Sequence, residues 1–280
     1  MRAAASILLL VERGDRVHEG LNKALLLARY FHTRLDIFLC DTEGYISSGR
    51  GARAPGMGAS SCVTEGNEYV QALRKSVFAP DVEIVTEATC APSLRDAVAE
   101  RLQRRAVDLL VKTIDDNRRG SGGRPAAEWA AIAACPVPVL LTRGRPWRPV
   151  GRFGALEQLG APALESNRAV TALAGAFAQA CGAALETVWP DAPRSIDDDV
   201  PAGLGGRDFD LVVLEKPRVT EPGALRSRIG EILAATAGDV VLMDASAPAT
   251  LVELATASAR SRGAASDPIA RNDSARRDSP

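Results

Sequence analysis

The sequence has few of the residues that metal and nucleophilic sites need. Only two histidines occur in 280 residues. They are His18 and His32, near the two ends of one predicted helix, too far apart to share a metal ion or a nucleophile. No activated nucleophile, paired general acid and base, or metal-ligand set is visible, so the sequence predicts a protein that is not an enzyme and holds no metal.

Cysteine is also scarce and irregularly placed. The five cysteines are Cys40, Cys62, Cys90, Cys135 and Cys181. Their number is odd, their spacing is wide, and no two form a C-x-x-C pair. This pattern argues against a disulfide framework or a structural zinc site, and predicts buried thiols in a reducing compartment.

The chain has neither an excess of one charge nor a long apolar run. Its 34 Lys and Arg against 35 Asp and Glu leave a net charge of -1, which argues against nucleic acid as a partner. No segment approaches the roughly 20 apolar residues that span a bilayer. The apolar run near the N-terminus is interrupted from Glu12 onward, with no signal-peptide cleavage site after it. We therefore expect a cytoplasmic protein with no membrane partner.

What the sequence does have is an alternation of apolar strands and amphipathic helices. Hydrophobic residues make up 46% of it. Strands are predicted at residues 6–12 and 34–41 and in "VEIVTEA", "VDLLVKT" and "PVPVLLTR". A Gly/Ser-rich loop is predicted over 42–66, before a helix around 68–78. In "PSLRDAVAERLQRRA", Ser93 and Asp96 form a start that resembles a capping box. The alternation indicates βαβ units and a parallel sheet.

The fifth predicted strand carries two prolines with a shared orientation. Pro136 and Pro138 are two residues apart, so their missing N–H donors face the same side of the strand. This arrangement is typical of an edge strand. The strand is therefore predicted to be the rim of the sheet or a seam where another unit docks.

The second half of the chain repeats the first imperfectly. "VDLLV" at 107–111 returns as "FDLVV" at 209–213, and "ACPVPVLLT" is echoed by "AGDVVLMDA". Asp41 and Asp108 are 67 residues apart, whereas Asp191 and Asp210 are 19 apart, so about 48 residues are missing. The first strand of the second half can only lie in "RFGALEQL", which has weak strand propensity. We predict domains at 1–148 and 149–247, and a mostly disordered tail at 248–280.

The order of elements, ending in "CPVPVLLT", resembles the universal stress protein family, in its tandem form with two domains in one chain. The likeness rests on Val111-Lys112, Trp129, Cys135-Pro136, Pro138 and Trp147. It implies two adenine-nucleotide-hydrolase-like open parallel-sheet domains, the first with strand order 3-2-1-4-5. The second would be truncated and would lack the third, edge strand.

The resemblance also implies how the chain assembles and what it does. The two domains would pair through their fifth strands as an intramolecular pseudo-dimer, with a homodimer left open. The implied role is in the stress response or survival, exerted by binding an unidentified protein partner.

ATP-binding members of the family carry G-x2-G-x9-G-[ST] after the fourth strand and an Asp at the end of the first. Counted back from Pro136, the leading glycines are replaced by Lys112 and Asp115. The closing pair is replaced by Pro125-Ala126, and the Asp by Glu12. An eroded ATP motif and no cofactor are therefore expected.

An alternative function remains open at the same loop. Lys112, Arg118, Arg119 and Arg124 against Asp115 and Asp116 give it a charge of +4 - 2 = +2, and "GSGG" could form an anion nest. The loop is then either a solvated connection or part of a regulatory switch that binds ATP or another anion. The candidate ligand-binding residues are Glu12, Lys112, Thr113, Arg118, Arg119, Gly120, Ser121, Gly122 and Gly123.

Overall fold

The structure is a computed structural model. It describes residues 6–13, 17–47, 57–114, 124–157, 164–188, 204, 207–216, 222–236 and 238–244. The elements of the first half are β1 (Ser6–Val11), α1 (Val17–Phe31), β2 (Arg34–Cys40), α2 (Thr42–Ser47), α3 (Met57–Lys75), β3 (Ile84–Thr89), α4 (Leu94–Arg104), β4 (Leu109–Thr113), α5 (Arg124–Ala134) and β5 (Val139–Thr142). Those of the second half are β6 (Arg152–Leu156), α6 (Leu164–Cys181), β7 (Ala184–Val188), β8 (Leu211–Glu215), α7 (Pro222–Thr236) and β9 (Asp239–Met243).

These strands form one sheet that runs through both halves, in the order β3-β2-β1-β4-β5-β9-β8-β6-β7. Parallel pairing gives the first half the order 3-2-1-4-5, as predicted. In the second half the parallel order β7-β6-β8-β9 matches 2-1-4-5 of the first. The halves meet where β5 and β9 pair antiparallel, with Leu140 opposite Val241. Of the two predicted alternatives for the strand after the two prolines, a rim or a seam, the structure shows the seam: β5 lies inside the sheet, beside β9.

Helices cover both faces of this sheet, which is why its central strands, such as β1 and β8, are mostly apolar. All six residues of β1 are buried. Ile7 and Leu9 belong to one core, whereas Leu8 and Leu10 belong to the other. Both cores continue across the seam, and the rings of Phe31 and Phe177 meet edge-on at 6.1 Å. Burial of both faces is what a parallel sheet requires.

The two halves repeat the same contact at the strand starts. In the first half, Ser6 N donates to Asp108 Oδ2 at 3.0 Å, and Asp108 N donates to Ser6 O at 2.9 Å. In the second, Arg152 N donates to Asp210 Oδ2 and Asp210 N to Arg152 O, both at 2.9 Å. The aspartate shared by "VDLLV" and "FDLVV" therefore aligns the first strand of each half with the fourth.

Two helices occupy much of the range 42–66, where the sequence predicted a loop. Helix α2 lies within that range, and α3 begins at Met57. Glycine was read as a loop signal, yet Gly66 lies inside the helix. A Cβ at Gly66 would come within 2.9 Å of Ala88 Cβ, so the missing side chain lets α3 approach β3 closely. Packing thus overrides the poor helix propensity of glycine.

The prediction that the cysteines are free, buried thiols is wrong for one pair. Cys62 on α3 and Cys90 just after β3 form a disulfide, with 6.1 Å between their Cα atoms. The two residues are 28 apart in sequence, and only the early start of α3 places Cys62 beside the end of β3. Cys40 and Cys135 are buried free thiols, whereas Cys181 is partly exposed.

Two local predictions, the cap of α4 and a strand in "RFGALEQL", are confirmed by the structure. Ser93 caps α4 by accepting from Asp96 N, as predicted. "RFGAL" forms the regular strand β6 despite its weak propensity, with Phe153 and Ala155 fully buried. Within the described ranges, no helix is long and apolar enough to cross a membrane. The predicted tail at 248–280 lies outside the described residues.

Candidate functional site

The predicted site lies at the carboxyl edge of the first half of the sheet. Glu12 directly follows β1, and Lys112 lies near the end of the adjacent β4. Lys112 Nζ is 3.1 Å from Glu12 Oε1 and 3.4 Å from Glu128 Oε1 on α5. Sequence reasoning had brought Glu12 and Lys112 together, but it missed Glu128.

This ion-paired cluster of Glu12, Lys112 and Glu128 is a poor receptor for phosphate. The side chain of Lys112 is only 1% exposed. One ammonium and two carboxylates give the three groups a charge of +1 - 2 = -1. A like charge about 4 Å away costs roughly 4 kcal/mol at an effective dielectric constant near 20. The lysine therefore serves the internal pairing.

Thr113, the next predicted residue, lies beneath α1. Its hydroxyl accepts a hydrogen bond from Thr142 Oγ1 at 3.1 Å. A Cβ at Gly20 of α1 would lie 2.4 Å from Thr113 Oγ1, so only glycine permits this approach of helix to sheet. The remaining predicted residues, Arg118, Arg119 and Gly120 to Gly123 with Ser121, lie outside the described residues.

A second ion pair at this edge was not predicted. Arg13 lies just after β1, and Asp41 lies directly after β2. Arg13 Nε donates to Asp41 Oδ2 at 2.5 Å. Asp41 also accepts from Gly44 N at 2.6 Å. Burial, and then the charges of Glu12 and Asp41, raise the pKa of the neighbouring Cys40 to about 12. The signal in the sequence was an acidic residue directly after each of the first two strands.

The corresponding edge of the second half also carries a buried carboxylate. When the two repeats are aligned, Glu215 at the end of β8 takes the position of Thr113 in β4. Ser166 Oγ, on α6, donates to Glu215 Oε2 at 2.5 Å. The next residue, Lys216, donates to the carbonyl of Cys135 at 2.7 Å, across the seam. Burial lowers the pKa of Lys216.

A buried carboxylate with three hydrogen-bond donors lies at the seam itself. Asp239, the first residue of β9, accepts from Lys23 Nζ at 2.6 Å, Trp147 Nε1 at 2.7 Å and Arg143 N at 2.9 Å. Lys23 and Asp239 are each less than 5% exposed. Lys23 Nζ also lies 5.3 Å from the centre of the Trp147 ring. Burial raises the pKa of Asp239 against the effect of these donors. We call these four residues the seam cluster.

The described residues contain no group of three or more His, Cys, Asp or Glu side chains that could hold a metal ion. No family model matches the sequence, and no curated protein matches it. Solved structures do match, at the level of the fold.

A protein described as a universal stress protein, from Pseudomonas aeruginosa UCBPP-PA14, has 18% identity and a TM-score of 0.62. The alignment covers 91% of this chain and 98% of that one. A protein of unknown function from Pseudomonas aeruginosa PAO1 has 15% identity and a TM-score of 0.62, covering 92% and 98%. A universal stress protein from Archaeoglobus fulgidus DSM 4304 has 10% identity and a TM-score of 0.54, covering 85% and 96%. The fold is that of universal stress proteins.

Proposed function

We propose that this chain is a stress-response protein of the universal stress protein type, which acts in the cytoplasm by binding a protein partner and not by catalysis. The fold similarity supports the type. In this proposal the chain is a tandem of two such units, the second truncated, joined as a pseudo-dimer.

The pairing of β5 with β9 is the observation that carries the proposal. It is reinforced by the seam cluster, in which Lys23 from the first half meets Asp239 from the second. Because this seam already occupies the edge of β5, a protein partner or a second copy would bind at another surface. The joined sheet then acts as one rigid scaffold.

The charges at the carboxyl edge support a function without ATP. Lys112 is paired with Glu12 and Glu128, and Arg13 is paired with Asp41. A triphosphate would have to displace carboxylates from both cations. We therefore propose that internal ion pairs replace the nucleotide and that no cofactor is bound.

The second candidate is a regulatory switch that binds ATP or another anion through the loop after β4. It is favoured by one observation: Glu12 and Lys112 meet at the root of that loop, whose sequence adds Arg118 and Arg119. In this alternative, Lys112 exchanges a carboxylate partner for a phosphate oxygen when the ligand binds.

Calorimetric titration of nucleotide-stripped protein with ATP, with and without Mg²⁺, separates the two candidates. The scaffold proposal predicts no heat and no shift in melting temperature up to about 1 mM ATP. A dissociation constant of that size corresponds to a binding free energy of about -4 kcal/mol. Micromolar binding would contradict it. If that binding is lost in Arg118→Glu/Arg119→Glu but kept in Arg29→Glu/Arg95→Glu, which has the same charge change, the loop is the site.

A further inference from the structure

We propose that a cleft between α4 and the edge strand β3 is a binding site for a small phosphate-bearing ligand. The cleft has a volume of about 330 Å³ and is lined by Val85, Thr86, Glu87, Arg101, Arg104 and Arg105. It lies away from the ends of β1 and β4, where the positions of the nucleotide motif are. A phosphate ion would fill only part of it, so a small phosphomonoester also fits.

The cleft exists because β3 is the last strand of the sheet on this side. Helix α4 covers β1 and β2 through Leu94 and Val98, and β3 lies beyond it. Val85 and Glu87 of β3 are only partly buried. The basic residues at the end of α4 therefore face the partly buried side of β3, whose opposite side is covered by α3.

Positive charge dominates the lining. Three arginines and one glutamate give +3 - 1 = +2. Glu87 is shared, since Arg101 Nε and Arg104 Nη2 each lie 3.0 Å from one of its carboxylate oxygens. No described residue pairs with the guanidinium of Arg105. The excess of two positive charges matches a phosphate group, which carries about -1.5 to -2 at neutral pH.

Arg101 is buried and incompletely hydrogen-bonded, unlike an arginine in a surface ion-pair network. It is 1% exposed, so its guanidinium lies beneath the surface of the cleft that it lines. Its Nη2 donates to Asp36 Oδ2 at 2.6 Å, but its Nη1 is buried without a hydrogen-bond partner among the described residues. A buried guanidinium N–H without an acceptor is costly.

Asp36, the carboxylate that accepts from Arg101, is shared with a second arginine. It also accepts two hydrogen bonds from Arg34, at 2.6 and 3.2 Å. With Arg34, Asp36 and Glu100 included, the last 3.7 Å from Arg104, four arginines face three carboxylates, and an excess of +4 - 3 = +1 remains. A bound phosphate would therefore add the acceptor oxygens and the negative charge that this group of arginines lacks, and guanidinium groups bind phosphate in a bidentate fashion.

The rival explanation is that arginines simply favour the negative end of the helix dipole at the end of α4. Charge variants distinguish the two. Arg105→Gln removes a lining charge. Arg95→Gln removes the same charge from the start of the same helix, outside the cleft. Glu87→Gln raises the lining charge from +2 to +3, so it should act in the opposite direction to Arg105→Gln.

The test is calorimetric titration of the full chain with inorganic phosphate and, separately, with glycerol 3-phosphate, against sodium chloride at matched ionic strength. We expect saturable binding that Arg105→Gln weakens by about tenfold, that Glu87→Gln strengthens, and that Arg95→Gln leaves unchanged. Tighter binding of glycerol 3-phosphate identifies a phosphomonoester site, and equal binding identifies a site for the free ion. A phosphate response equal to that of chloride, or equal in all four proteins, would overturn the proposal.

Discussion

Replacing Asp239 with Asn should destabilise the protein far more than its small change in volume suggests. Arg143 N and Trp147 Nε1 donate to different oxygens of Asp239, so asparagine, with its single acceptor oxygen, can keep only one of these two bonds. It also removes the negative charge 2.6 Å from Lys23 Nζ. The ammonium then remains in a nearly dry position at the junction of the two halves.

The expected size of this effect can be bounded. Removing one partner of a buried ion pair costs about 3 to 5 kcal/mol, because the other charge stays desolvated. We therefore expect a loss of about 3 to 5 kcal/mol.

Urea unfolding at pH 7, followed by far-ultraviolet circular dichroism and by tryptophan fluorescence, measures this loss. Coincident transitions by the two probes would justify a two-state fit. The matched control is Asp81→Asn, which breaks the pair of Arg29 and Asp81, where Asp81 is 57% exposed. Such a pair contributes less than about 1 kcal/mol. In a Lys23→Met/Asp239→Asn variant both charges are gone, and most of the stability should return.

The reasoning fails if Asp239→Asn costs no more than Asp81→Asn. It also fails if Lys23→Met/Asp239→Asn is less stable than Asp239→Asn alone. Either result would mean that the buried pair does not hold the two halves together.

Three further predictions concern single groups. Burial raises the pKa of Asp210, but hydrogen bonds from Arg148 outweigh this and lower it. The stability advantage over Asp210→Asn should therefore be full above about pH 4 and disappear as the pH falls through the lowered value in urea unfolding; a constant advantage down to pH 2 would contradict this. Reducing the Cys62–Cys90 disulfide, which joins residues 28 apart, should cost about 3 to 4 kcal/mol. A Cys62→Ser/Cys90→Ser variant should not respond to reductant. A mass of the native protein that shows Cys62 and Cys90 both as free thiols would refute the bond. Burial, and then Asp210, raise the pKa of Cys181 to about 12, so iodoacetamide at pH 8 should label it only after unfolding; rapid labelling of the native chain would count against this.

The parts of the fold that depend on local sequence could be predicted. The apolar runs of β1 and β4 and the cap at Ser93 need only their neighbours in sequence. The order 3-2-1-4-5 came from the family resemblance, and the register of each pair agrees with it. Local propensity was misleading for α3, where Gly66 is favoured by the close approach of a strand and not by the helix itself.

The contacts of the site could not be predicted, because they join distant parts of the chain. Motif spacing located Lys112, but its pairing with Glu128 depends on where α5 crosses the sheet. In the sequence, Asp239 is only one letter of the repeated segment "AGDVVLMDA", and its ammonium partner, Lys23, is 216 residues away. No periodicity in the sequence reports such a distance. Trp147 was noted as a family feature, and its hydrogen bond to Asp239 gives that position a physical reason.

Sedimentation of two proteins, the full chain and a fragment of residues 1–148, tests the pseudo-dimer most directly. In the full chain β9 covers β5, so we predict a monomer. In the fragment β5 is an open edge without Asp239 to pair Lys23, so a fragment shown to be folded by circular dichroism should dimerise as its concentration rises. A folded fragment that stays monomeric, or a full chain that dimerises as strongly as the fragment, would contradict the account.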